Sequence, residues 1–143
     1  MKPSQQRTTL AVATLTSFMG PFLISSVNIA LPDIQQAFDV DVVLLSWIAT
    51  AYLLSVAAVL VPAGKIADHW GRTRIFALGL AILTIASLGS AMSPSISLLI
   101  TTRIFQGMGA AMVVTTGMPI LIAVFPPQER GRVIGLYVAA VYL

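Results

Sequence analysis

Four apolar runs, each about the length that a bilayer-crossing helix needs, follow one another along this 143-residue chain with only short polar stretches between them. An α-helix rises 1.5 Å per residue, so about 20 residues cross a hydrocarbon core about 30 Å thick. The runs cover about residues 9–31, 42–63, 75–92 and 96–125, and a fifth, 133–143, reaches about half a span. Only 9% of the residues are charged and 57% are hydrophobic. A soluble domain carries roughly 25% charged residues, so the sequence predicts an all-α membrane protein with four transmembrane helices and the start of a fifth. A secretory signal peptide also begins with cations and an apolar stretch, but the length of the first run and the spans behind it argue against cleavage.

Several function classes are excluded early. The chain has no Cys and one His, so neither a disulfide framework nor a thiolate or multi-histidine metal site is expected, and no cofactor is implied. The calculated pI is 9.8, yet the basic residues are scattered through short polar stretches rather than gathered on one face, so no nucleic-acid partner is expected. Within the spans there is no Ser/His/Asp set, His pair or carboxylate pair, which argues against an enzyme.

Charge distribution predicts topology. Lys2 and Arg7 precede the first run, Lys65, Arg72 and Arg74 follow the second, and Arg130 and Arg132 follow the fourth. The two intervening stretches, Pro32–Asp41 and Ser93-Pro94-Ser95, contain no Lys or Arg. Short cationic loops stay on the cytoplasmic side, so a multi-pass protein of the cell membrane with a cytoplasmic amino terminus is expected. Gly20-Pro21 lies within the first run and predicts a bend or local unwinding there. The polar stretch Gly64–Arg74 reads as a loop, as does Gln128–Arg132 after Pro126-Pro127.

One cation, Arg103, falls inside the fourth run. Burial of a cation in a membrane is costly, so such a residue either faces a cavity or snorkels to the headgroups. The depths of Arg103 and Asn28 below the same membrane face, about 10 Å and about 5 Å along their helices, predict that Arg103 points inward and meets the first span near Asn28. Its role would be to attract anions or to hold the two helices in register. Arg103, Gln106 and Gly107 share a helix face, and Gly107 with Ala111 forms a small-xxx-small strip suited to close helix contact.

The order of residues carries a resemblance. Gly64, Asp68, Gly71 and Arg72, with Arg74 carrying its cation one place late, resemble the loop between the second and third helices of major facilitator superfamily transporters. Arg103-Ile104-Phe105-Gln106-Gly107-Met108-Gly109-Ala110-Ala111 is similar to the fourth-helix motif of that superfamily. Pro126-Pro127-Gln128-Glu129-Arg130-Gly131 resembles its next loop. Ser25-Ser26-Val27-Asn28-Ile29-Ala30-Leu31-Pro32 resembles the end of the first helix in the fourteen-span drug/proton antiporter branch, where an acid often stands five residues before the Asn and this chain has Leu23.

The resemblance implies the amino-terminal part of a transporter with two pseudo-symmetric halves, a substrate site between them near the midplane, and alternating access by rocking. The implied function is proton-linked efflux of small or amphipathic molecules, and this stretch alone is not expected to transport. Its implied partners are the lipid bilayer, a small-molecule substrate, protons and the remaining helices of the transporter. A proton carrier inside the bilayer would ordinarily be acidic, and spans one to four hold no Asp or Glu. By the same resemblance Asp68 acts as a cytoplasmic latch, with a cross-loop pair between Arg72 and Glu129. The alternative is a small helical membrane protein acting as an oligomeric channel or structural partner through its Gly-rich faces.

Overall fold

The computed structural model describes residues 3–142, which form five helices: α1 (Pro3–Phe38), α2 (Val42–Trp70), α3 (Arg72–Ala91), α4 (Ile96–Val124) and α5 (Pro127–Tyr142). Lys2 of the first cationic stretch and Leu143, the end of the fifth apolar run, lie outside the described residues. The first four helices are each long and apolar enough to cross a membrane.

Each helix end has a local cause. Asp39, at φ 48°, turns the chain out of α1, and Asp41 then caps α2 by accepting from the Leu44 amide at 2.8 Å. Gly71 alone separates α2 from α3, at φ 97° and ψ 128°, a conformation that side-chain-bearing residues rarely adopt. Ser95 caps α4 through Leu98. Phe125 and Pro126 interrupt the chain, and Pro127 opens α5 where its missing amide proton is no loss.

Two charged stretches expected to be loops are helical instead. α2 runs through Gly64 to Trp70, so only Gly71 of the Gly64–Arg74 stretch leaves helical geometry. Residues 128–132 belong to α5, where Glu129 sits in the first turn and suits the positive end of the helix dipole. α1 also runs through Pro32 to Phe38, and of the two outcomes expected at Gly20-Pro21, bend or local unwinding, the unwinding is not seen. For the charged stretches the physical reason is shared: charge marks where a helix leaves hydrocarbon, and a helix protruding into water keeps its backbone hydrogen bonds. At 36 residues α1 is about 54 Å long, well beyond the hydrocarbon thickness.

α4 is the central helix and packs against all four others, most extensively against α3 and α2. Lipid tails are as apolar as leucine, so close backbone contact rather than removal of apolar surface from water holds such helices together. Two glycines permit that contact on opposite sides of α4. A Cβ built on Gly107 would lie 2.5 Å from the Tyr52 carbonyl oxygen of α2, and one on Gly109 would lie 2.7 Å from the Gly79 carbonyl oxygen of α3. Three apolar clusters fill the bundle: Ala13, Leu121, Phe125, Val133 and Tyr137 at one end, Tyr52, Leu83 and Ala110 in the middle, and Leu45, Ile48 and Leu99 at the other. Leu15, Ile29, Ile85 and Leu88 are exposed on the outside of this bundle.

Candidate functional site

The middle of the bundle holds its most polar interior. Arg103 of α4 is only 2% exposed, and so is Gln106 one turn further on. Arg103 Nη1 donates to Gln106 Oε1 at 2.8 Å, while Nη2 donates to the Leu23 carbonyl oxygen of α1 at 3.5 Å. Gln106 in turn donates through Nε2 to Ser87 Oγ of α3 at 3.1 Å, and Ser87 donates to the Leu83 carbonyl oxygen at 2.7 Å. The guanidinium carbon stands 5.8 Å from the ring centre of Tyr52 on α2, within cation–π range. Arg103 thus ties α4 to α1 directly, to α2 through the ring and to α3 through Gln106.

The arrangement leaves Arg103 without a countercharge among the described residues. All five acidic residues, Asp33, Asp39, Asp41, Asp68 and Glu129, are exposed, and all lie near helix ends. Arg103 Nε is buried and has no hydrogen-bond partner among the described residues. Neutral acceptors and an aromatic face offset part of the desolvation of a charge that Arg cannot lose by deprotonation.

Arg103 points inward and meets α1 near Asn28, as expected. Its hydrogen bond there goes to the Leu23 carbonyl oxygen, five residues before Asn28, while Asn28 itself lines the same cavity. Asn28 shares with Arg103 a small cavity of ≈ 100 Å³, also lined by Ile24, Val27, Tyr52 and Leu53. Beyond Ile24 and Tyr52 opens a larger apolar cleft of ≈ 500 Å³, walled by Gly20 and Pro21 of α1, Val56 of α2 and Val113 of α4. A second pocket that Arg103 and Gln106 line is bounded by Ser87 and Ser90 of α3, by Ser93 just beyond that helix, and by the apolar Leu23, Val27 and Leu99.

The second expected site lies at the end that carries Gly71. Asp68 and Arg72 form an ion pair, with Arg72 Nη2 at 3.1 Å and Nε at 3.3 Å from Asp68 Oδ1, and both side chains are about half exposed. Gly71 supplies the sharp reversal between them, whereas Gly64 is an ordinary helical residue with open space beside it. Arg74 is exposed in the first turn of α3. The cross-loop pair of Arg72 with Glu129 is not formed, since among the described residues the only ion pair is that of Arg72 with Asp68. Four residues apart across a tight turn, Asp68 is the nearer partner.

Tyr52 and Ser87 are site residues that sequence reasoning missed. The signal for Tyr52 is a phenol well inside an apolar run rather than at its edge, and for Ser87 the spacing of Ser87 and Ser90, three apart and so on one face of α3. Among the described residues no group of three or more His, Cys, Asp or Glu side chains comes together to hold a metal ion.

The family model described as the Major Facilitator Superfamily matches residues 11–143. The chain belongs to that superfamily. Its members among curated proteins include the riboflavin transporter RibZ of Clostridioides difficile, 38% identical over 92% of this chain and 29% of the relative. The multidrug resistance protein Stp of Mycobacterium tuberculosis is 40% identical over 79% of this chain and 21% of its own length. The methylenomycin A resistance protein of Streptomyces coelicolor is 34% identical over 90% of this chain and 28% of its own length. The chain thus spans less than a third of the length of these relatives. Membership favours the transporter reading over the oligomeric channel, and the protein is a multi-pass membrane protein of the major facilitator fold.

Proposed function

We propose that this chain is part of an exporter of small amphipathic molecules in the cell membrane, driven by the proton gradient, with its amino terminus on the cytoplasmic side. The observation that carries this reading is the apolar cleft lined by α1, α2 and α4, which shares Ile24, Tyr52 and Leu53 with a small cavity that the buried Arg103 lines. Such a wall suits a molecule with a large apolar body and one polar group, since a few placed polar residues in an apolar pocket fix orientation. The relatives named for riboflavin transport, multidrug resistance and methylenomycin A resistance support a small organic substrate. The one-sided placement of Lys and Arg supports the orientation.

No acidic residue lies inside the four membrane-spanning apolar runs, so a proton-carrying carboxylate would be supplied elsewhere in the full-length transporter. Asp68, paired with Arg72 beside the Gly71 turn, would serve as a latch on the cytoplasmic side. The test is transport by the full-length protein in proteoliposomes, using fluorescent amphiphiles of positive, zero and negative charge. An imposed proton gradient should accelerate movement of at least one of them, and its own collapse should quicken when that molecule is added. If no member of the panel moves in either assay, the export reading fails.

A further inference from the structure

We infer that the site built around Arg103 selects organic monoanions: amphipathic molecules whose single carboxylate, or a group of like charge and size, docks on the guanidinium while the apolar body lies in the cleft between α1, α2 and α4. This inference rests on the export reading and names its substrate class.

Three observations carry it. Arg103 is buried at 2% exposure with no carboxylate beside it among the described residues, and its side-chain and main-chain acceptors, Gln106 Oε1 and the Leu23 carbonyl oxygen, are both neutral. A permanently charged group in that position leaves net positive potential in a medium where electrostatic interactions are strong. The cavity it lines also brings together Asn28 and Tyr52, so every polar side chain there can donate a hydrogen bond and none bears negative charge. That cavity shares Ile24, Tyr52 and Leu53 with the larger apolar cleft, so a ligand with its head at Arg103 has a continuous apolar surface for the rest of its body. A cationic amphiphile in the same place would set like charge against the guanidinium, which disfavours it.

Leu23 then becomes the position that sets charge preference. Its carbonyl already touches the guanidinium, and its side chain packs on the central apolar cluster and lines a pocket together with Arg103 and Gln106. A carboxylate introduced there would neutralise Arg103 from within the protein and remove the reason for a ligand anion.

The test is isothermal titration of the purified full-length protein in detergent with three ligands that share one ring system: 1-naphthaleneacetate, 1-naphthaleneacetamide and 1-naphthylmethylammonium. Naphthaleneacetate should bind about tenfold or more tightly than the amide, the scale of one charge-assisted hydrogen bond, and the cation should bind weakest. Leu23→Asp should erase or reverse that order, while Leu23→Asn, equal in size and uncharged, should keep it. Equal affinity for the three ligands, preference for the cation, or loss of the order in both variants overturns the inference. A chloride titration in sulfate buffer separates the two sources of a monoanion. If chloride binds and naphthaleneacetate shows no advantage over the amide, the cation serves an inorganic ion and the organic assignment is wrong. Binding is read without a membrane, so a protein that exports nothing still answers this question, and an exporter that favours cations refutes this inference alone.

Discussion

Gln106 Oε1 accepts a 2.8 Å hydrogen bond from Arg103 Nη1, and the amide of the same side chain donates to Ser87 on the neighbouring helix. One residue therefore satisfies part of a buried cation and fixes α4 against α3. Its carbonyl lies one turn along α4, so the guanidinium is held within the bundle rather than extended toward the headgroups.

Replacing that acceptor should be costly in a specific way. Gln106→Leu keeps the apolar contacts but strips the guanidinium of its shortest hydrogen bond, at a cost of about 1.5–3 kcal/mol. Gln106→Glu places a countercharge in the same position and should leave thermal stability equal to or above that of the wild type. Melting of the purified full-length protein checks the pair. If the leucine variant melts like the wild type, the hydrogen bond carries no stability.

Glycine positions divide into two kinds. A Cβ at Gly109 would stand 2.7 Å from the Gly79 carbonyl oxygen and 2.8 Å from the Leu83 amide nitrogen, both backbone atoms, so α3 itself would have to move. Gly64 has nothing within 4 Å of the same added atom and lies in regular helix. Gly109→Ala should destabilise by about 1–3 kcal/mol through overpacking. Gly64→Ala should stabilise by about 0.4–1 kcal/mol by restricting the unfolded chain and favouring helix. The same melting measurement decides both, and a destabilising Gly64→Ala would mean that this glycine serves a state with closer contacts.

What could be read from sequence follows from which signals are local. The apolar runs announce the helices because hydrocarbon permits little else for a backbone that must satisfy its own hydrogen bonds. Arg103 announces a cavity because a lone cation in such a run needs a reason. The extents of α2 and α5 were not legible, since Lys65, Asp68 and Glu129 mark departure from lipid while the helix continues into water. The Leu23 carbonyl was hidden for a different reason. It is a main-chain acceptor that any residue could supply, and 80 positions separate it from Arg103.

These 143 residues contain no Cys, so a single Cys introduced among them reports the topology of this part, with any Cys elsewhere in the full-length protein first replaced. Thr73 is exposed one residue beyond Arg72, at the end expected to face the cytoplasm. A membrane-impermeant maleimide should modify Thr73→Cys only after the cells are permeabilised, and should modify Met92→Cys, exposed at the opposite end of α3, in intact cells. Labelling in the reverse order would invert the proposed orientation.

Asp68 and Arg72 separate a stabilising role from a switching one. Their ion pair is 3.1 Å long but about half exposed on both sides, and pairs of that kind contribute about 0–1 kcal/mol because water screens them and two flexible side chains must be ordered. Asp68→Asn should therefore shift the melting temperature little. A latch behaves differently, because its energy enters the balance between two conformations that are themselves close in free energy, and a bias of about 1 kcal/mol changes their ratio about fivefold. The expected result for Asp68→Asn is full-length protein at normal abundance and near-normal stability whose transport rate falls severalfold. Arg72→Lys keeps the charge but not the two-nitrogen grip on Asp68 Oδ1, and should fall between the wild type and Asp68→Asn. Transport at the wild-type rate in Asp68→Asn would leave the pair as surface charge around a glycine turn, with Gly71 alone accounting for the geometry.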